Sequence, residues 1–322
     1  MKKSSIITQK GSSFFYKNSV ALVLIVIIVI FSLTTDTFFT FENLQLVLRQ
    51  STLVGMLAIG LSYVAIVGKI DFSIGAIVSL TTTVAVKVHE QLGPGPAVLI
   101  GLLVGAAFGA INGFLIGYMG LNALITTLGM QNIITSTSLI YTKNQYLSLQ
   151  TESWFKKISH GMIVSGVSVQ LVIYVVLLFL MQFVLSKTLL GSQVKAVGNS
   201  AICSDYSGIS SKRTIWIAYI ISGTFAAGAG IMLASRSGVG TFDAGTGMEF
   251  SALSAVVLGG TSLLGGKGSI LKGCVGVLIS STMKNGFIMI GLNDYVQWIV
   301  QSIIILSATI IDVSSRRERK EI

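Results

Sequence analysis

Charge is scarce in this sequence. Only 11% of its 322 residues are Asp, Glu, Lys or Arg, 52% are hydrophobic, and the mean hydropathy is +0.82. A soluble domain carries about a quarter charged residues, so this balance excludes one and points to a multi-span membrane protein. Carboxylates are sparse, and Asp36, Glu42, Glu90 and Asp294 fall in loops or at the ends of apolar runs. No acid and base converge on a hydrolytic site. The two histidines, His89 and His160, lie toward expected outer ends without HExxH spacing and read as interface polarity. The two cysteines, Cys203 and Cys274, form no CxxC, so neither a disulfide framework nor a metal site follows. The "GGKGS" at Gly265–Ser269 fails as a phosphate loop, because Thr261 stands where a glycine is needed and Gly268 follows Lys267. Any ATP has to be bound by a partner.

What the chain does have is a succession of apolar runs. They lie near Val20 to Leu33, Asn43 to Val67, Ser73 to Val86, Ala97 to Tyr118, Ala123 to Ile140, Val169 to Leu185, Ile215 to Ser235, Ser251 to Leu264, Ile270 to Ile290 and Val296 to Ile311. Helices of roughly 20 apolar residues cross a bilayer, so the expected fold is an all-α polytopic bundle of about ten spans, several of them short. The first run follows four lysines as a signal peptide would, but no A-x-A-like site comes after it, which favours an uncleaved span. An even number of spans puts both termini on one side. Both are basic, with Lys2, Lys3, Lys10 and Lys17 at the front and Arg316, Arg317, Arg319 and Lys320 at the back, so both are expected in the cytoplasm. The net charge of +10 thus reports orientation and not a nucleic-acid groove. The expected layout is a cytoplasmic tail over 1–19, a membrane domain over 20–313 with a cytoplasmic loop at 187–213, and a basic tail over 314–322. Lys143, Lys156 and Lys157 in the segment Tyr141 to Val167, expected outside, run mildly against the rule.

One run carries a packing signature. Gly101, Gly105, Gly109, Gly113 and Gly117 repeat at i, i+4, a stripe along which another backbone can approach closely in lipid. Two other runs are interrupted, by "GKIDFSIG" (Gly68–Gly75) and by "LGGTSLLGGKGS" (Leu258–Ser269). A helix break at membrane depth is tolerated only inside protein or beside water, and paired glycine-rich breaks are how discontinuous transporter helices look in sequence. Polar side chains within spans are costly and are functional candidates: Asp71, Asn112, Asn122, Thr126, Thr127, Gln131, Asn132, Lys284 and Asn285. Amides and hydroxyls outnumber charges among them, which suits a neutral, hydroxyl-rich solute. Bonds between helices are the competing role.

The segment "AVGNSAICSDYSGISSKRTI" (Ala196–Ile215) resembles the cytoplasmic coupling loop of ribose-type permeases of ABC importers, through Gly198, Asn199, Ala201, Ser207, Gly208 and Ile209. Val197 and Ile202 depart from that pattern. "GKIDFSIGAIVSLTT", "ALITTLGM" and "DAGTGMEFSALSAVVLGGTSLLGGKGS" are similar to further blocks of the family in the same order, with Lys69 replacing a glycine and Ser251 an aspartate. The resemblance runs from about Asp36 to Asp312. It implies a permease, not an enzyme, in the bacterial inner membrane, importing a monosaccharide such as a pentose, a hexose or a furanone-like signal. It implies three partners: a separate ATPase, a second permease copy or paralogue, and an extracytoplasmic sugar-binding protein. The coupling element becomes Gly198, Asn199, Ala201, Tyr206, Ser207, Gly208 and Ile209, with Ile209 as apolar anchor in the ATPase. The translocation path is expected at Asp71, Phe72, Ser73, Asn122, Thr126, Thr127 and Asn285. An autonomous secondary transporter would explain the spans and the breaks equally well.

Overall fold

The computed structural model describes residues 22–164 and 166–318. The expected tail over 1–19 lies outside them, as do Arg319 and Lys320. Helix α1 covers Leu22–Thr34. It is followed by α2 (Phe41–Ile66), α3 (Ile74–Leu92), α4 (Pro94–Gly117), α5 (Ala123–Thr142), α6 (Lys157–His160), α7 (Val169–Lys187), α8 (Leu189–Asn199), α9 (Ala201–Tyr206), α10 (Ser211–Ser237), α11 (Met248–Leu258), α12 (Ile270–Met289) and α13 (Asp294–Glu318). Short strands β1 (Leu147–Ser148) and β4 (Val239–Gly240) pair antiparallel, as do β2 (Met162–Val164) and β3 (Val167–Ser168).

Every apolar run of the sequence falls on a helix. Four of them, α2, α4, α7 and α10, are long and apolar enough to cross a bilayer by themselves. Helix α3 is less apolar because it faces protein and not lipid: Thr81, Thr82 and Thr83 are all buried, and Thr83 Oγ1 shares a 3.3 Å hydrogen bond with Ser138 of α5. Three sequence boundaries move. Helix α11 stops at Leu258 instead of continuing to Leu264, α13 runs on through the expected start of the basic tail, and the loop 187–213 is largely helical as α8 and α9.

The core is built on α10, which packs against α2, α3 and α4. The five glycines of α4 all face it. A methyl group added at Gly113 would lie 2.8 Å from the Trp216 carbonyl oxygen, and one at Gly117 would lie 2.7 Å from that of Lys212. Gly105 and Gly109 face Gly223 and Tyr219 even more closely. Such contact gains dispersion along both backbones without a hydrophobic drive.

Both helix interruptions close by the same local chemistry. Gly68 adopts φ +76°, its N–H bonds Ala65 O at 2.9 Å, and the next N–H, of Lys69, bonds Val64 O at 3.0 Å. Gly260, at φ +77°, repeats this with Val257 O and Thr261 N–H to Val256 O. This double bond pattern satisfies the last carbonyls of a helix and requires a left-handed residue, for which glycine has no side-chain penalty. The breaks in the sequence are therefore capped helix ends.

Candidate functional site

Two polar regions and one exposed element sit at different heights in the bundle. The first region is built on the break between α2 and α3. Asp71 is buried, 1% exposed, and its Oδ1 accepts from Ser73 N–H at 3.0 Å and from Ser73 Oγ at 2.6 Å, while Oδ2 accepts from Ser222 Oγ of α10 at 2.9 Å. Asn112 of α4 donates to Ser73 Oγ at 2.8 Å, and Tyr219 OH donates to Ile70 O at 2.8 Å. Lys69 forms no ion pair with Asp71 among the described residues. The cluster ties the broken backbone to α4 and α10 through a carboxylate whose oxygens are both engaged, the condition for burying such a group. From α5, Thr127 Oγ1 accepts the Phe72 N–H at 3.2 Å, and the half-buried Phe72 ring meets Phe250 at 5.6 Å.

Asn122 caps α5 by accepting the Ile125 N–H at 3.3 Å, and Thr126 bonds back to the Asn122 carbonyl at 2.8 Å. Asn122 also lines an open groove with Gly68, Lys69 and Leu263. Asn285 stands apart from the other expected path residues. It forms a reciprocal amide pair with Asn43 at 2.9 and 3.0 Å, near the start of α2, and Asn43 further bonds Phe38 O at 2.7 Å. Asp71 sits level with Gly60, which packs on Ser222. That places the two polar groups about 25 Å apart along α2. His89, near the end of α3, is buried against the segment that follows α5, its Nε2 sharing a 2.6 Å hydrogen bond with Ser153 Oγ and its ring tilted 5.2 Å from that of Phe155.

The second region is a cavity of about 240 Å³ between α2, α10, α11, α12 and α13. Its polar lining is Gln50, Arg236, Thr246, Ser251, Ser280, Ser281, Lys284 and Gln297. None of these was among the path residues expected from sequence. Lys284 and Ser251 carried a signal, as a charge within an apolar run and as a departure from a family block. The serines and glutamines carried none, because isolated hydroxyls in a helix most often bond their own backbone.

The exposed element is α8–α9. Gly198 ends α8 against the Ile66 carbonyl at the end of α2, and a methyl there would also lie 2.5 Å from Gly266 N. Asn199 lies over Gly266, and Ala201 begins α9. Tyr206 is 90% and Ile202 71% exposed. Gly208, at φ +79°, and Ser207 close α9. Ile209 is half-buried against the protein's own core, so the apolar side chains offered outward are Ile202 and Tyr206 instead. Asp205 accepts the Ser211 N–H at 2.8 Å and Ser211 Oγ at 2.7 Å, which joins α9 to α10. The backbone bond first and the hydroxyl second hold this exposed carboxyl below the usual range.

The comparisons with known proteins bear on this arrangement. Residues 43–309 match the family described as branched-chain amino acid transport system / permease component. The ribose import permease protein RbsC of Escherichia coli strain K12 is 33% identical over 290 residues, covering 88% of this chain and 89% of its own length. The chain belongs to this family of ABC importer permeases. Its relatives include the D-allose transport system permease protein AlsC of E. coli, 32% identical over 283 residues (87% and 86% coverage). The L-arabinose ABC transporter permease protein AraH of Azospirillum brasilense is 29% identical over 308 residues (94% and 89%). No solved structure matches the chain. With its apolar helices, this family makes the chain a multi-pass sugar-type permease of the bacterial inner membrane.

Proposed function

We propose that the chain is the membrane-spanning subunit of an importer that moves a monosaccharide, a pentose, hexose or related sugar-like molecule, into the cytoplasm. A separate ATPase seats on α8–α9, an extracytoplasmic binding protein delivers sugar at the opposite end, and a second copy or paralogue completes the pore. ATP belongs to the ATPase. The observation that carries this reading is the exposed α8–α9 element, packed through Gly198 onto the end of α2 and the turn that leads into α12. The helix ends support cytoplasmic termini. Phe31, near the end of α1, packs on Phe287 of α12, and Trp298, near the start of α13, packs on Gly247. Both contacts lie at the end away from α8–α9, so the free ends of α1 and α13 point back toward the ATPase side.

Proteoliposomes holding this chain with a cognate ATPase and sugar-binding protein should take up sugar only with ATP on the ATPase side. Uptake by the chain alone, driven by an ion gradient, would refute the reading and assign the chain to secondary transport.

A further inference from the structure

The cavity between α2, α10, α11, α12 and α13 carries a charge that a neutral sugar does not need. Arg236 and Lys284 both line it, and no Asp or Glu does. Among the described residues neither cation takes part in an ion pair or hydrogen bond. Beside them the lining offers the hydroxyls of Thr246, Ser280 and Ser281, and Gln50, whose Oε1 is buried without a partner. Both side chains stay solvent-exposed at the cavity wall, so they keep their hydration, but two like charges facing one small cavity repel each other. An anion placed between them relieves that repulsion, while hydroxyls on the same solute would meet the serines and the orphaned amide oxygen.

Resting on the permease reading, we infer that this cavity takes a monosaccharide bearing a negative charge, a carboxylate or phosphate on a polyhydroxy frame. The class combines the two chemistries that the lining presents and joins in one place. The neutral solute suggested by the polar residues of the sequence follows from Asp71, Asn122 and Asn285, which lie outside this cavity. An alternative use for the cations is to receive acidic side chains of the delivering protein. In that case the charge of free solute would not matter.

The test is titration calorimetry on the full-length chain in lipid nanodiscs, with D-glucuronate, D-glucose and inorganic phosphate as probes. Glucuronate should bind at least tenfold tighter than glucose at low salt, and tighter than phosphate, with the preference shrinking as salt rises. Lys284→Gln and Arg236→Gln should each erode the preference. Ser251→Asp adds a carboxylate to the lining and removes neither cation, so it should erode the preference too, and it keeps the test readable if the other variants assemble poorly. Equal binding of glucose and glucuronate, or no binding of glucuronate, overturns the inference. Phosphate binding as tightly as glucuronate overturns the sugar part of it. ATP-driven uptake of neutral sugar without anion preference defeats this inference alone, whereas glucuronate binding without ATP-driven uptake of any sugar defeats the permease reading alone.

Discussion

Replacing Gly109 by alanine puts one methyl group into the α4–α10 seam. The added carbon would run into the Tyr219 carbonyl oxygen, with Ile220 Cα and Tyr219 C each at 3.1 Å. All three are backbone atoms, so no rotamer change relieves the contact. Against an ordinary separation of about 3.5 Å the overlap is on the order of 1 Å, which the helices can remove only by moving apart and losing contacts along the stripe. Overpacking of this kind costs about 3 kcal/mol at its upper end. Alanine returns about 1 kcal/mol of helix propensity, leaving a net loss of about 2 kcal/mol. Gly129 in α5 supplies the control, because a methyl there meets nothing within 4 Å. Gly129→Ala should be neutral or stabilising by up to about 1 kcal/mol. Thermal unfolding in nanodiscs, with recovery on size exclusion as the second measure, should rank Gly129→Ala at or above wild type and Gly109→Ala clearly below it. Gly105→Ala and Gly109→Ala combined should cost less than their sum, since helices already forced apart at one turn are relieved at the next. A Gly109→Ala protein as stable as wild type, or a fully additive double variant, would refute close backbone packing at this seam.

The polar clusters, two buried and one exposed, make three shorter predictions. Asp71→Ala strands the hydroxyls of Ser73 and Ser222 and should destabilise the fold by about 3 kcal/mol, whereas Asp71→Asn, which still accepts from Ser73 and can donate to Ser222, should retain most of it in the same unfolding assay. Asn285→Ala leaves Asn43 half-paired and should lower the thermal midpoint by the equivalent of about 1–3 kcal/mol, with sugar specificity unchanged. Asp205→Asn should loosen the α9–α10 junction, read as faster proteolytic nicking near Ser207. Because the folded carboxyl lies below its ordinary value, its contribution is present above the usual carboxylate range and is lost as pH falls through the folded value, so variant and wild type should converge at acid pH.

Much of this architecture was legible beforehand, and the reasons differ by element. The apolar runs mark helices because a backbone in lipid has few alternatives, and the stripe of α4 is visible because close approach demands a small residue at every turn. Gly68 and Gly260 show where helices end, since a left-handed cap selects glycine. The candidate cavity was less visible. Asp71 and Asn285 are the conspicuous polar residues, yet both are consumed by bonds to other helices, as buried polar groups generally must be. The cavity is assembled from Gln50, Ser280, Ser281 and Gln297, distant in sequence and individually ordinary. Only their convergence is informative, and convergence is a property of packing. Ile209 belongs to the same lesson: a pattern match marks the segment, while the direction of its side chain depends on the turn at Gly208.

The remaining question is how an event at α8–α9 reaches a cavity near the other end. Gly198 presses on the Ile66 carbonyl, the same oxygen accepts the Gly266 N–H at 2.8 Å, and Gly68 lies against Gly265. One contact point therefore holds the end of α2 and the turn that leads into α12. Both helices continue to the cavity, α2 to Gln50, Leu53 and Val54, and α12 to Ser280, Ser281 and Lys284. Each is unbroken over this distance, about 24 Å for α2 and about 21 Å for α12. Packed helices shift as units, so displacement of α8 should alter the cavity walls from two sides at once. Gly198→Ala tests this, because its methyl has only backbone to displace. With the ATPase bound, the variant should keep basal ATP hydrolysis yet lose sugar uptake. Gly208→Ala is the contrast: a methyl there meets nothing within 4 Å, and only the strain of φ +79° is added, so it should weaken α9 locally and lower hydrolysis and uptake together. Coupled uptake at the wild-type rate in Gly198→Ala would show that the cavity is moved by some other contact.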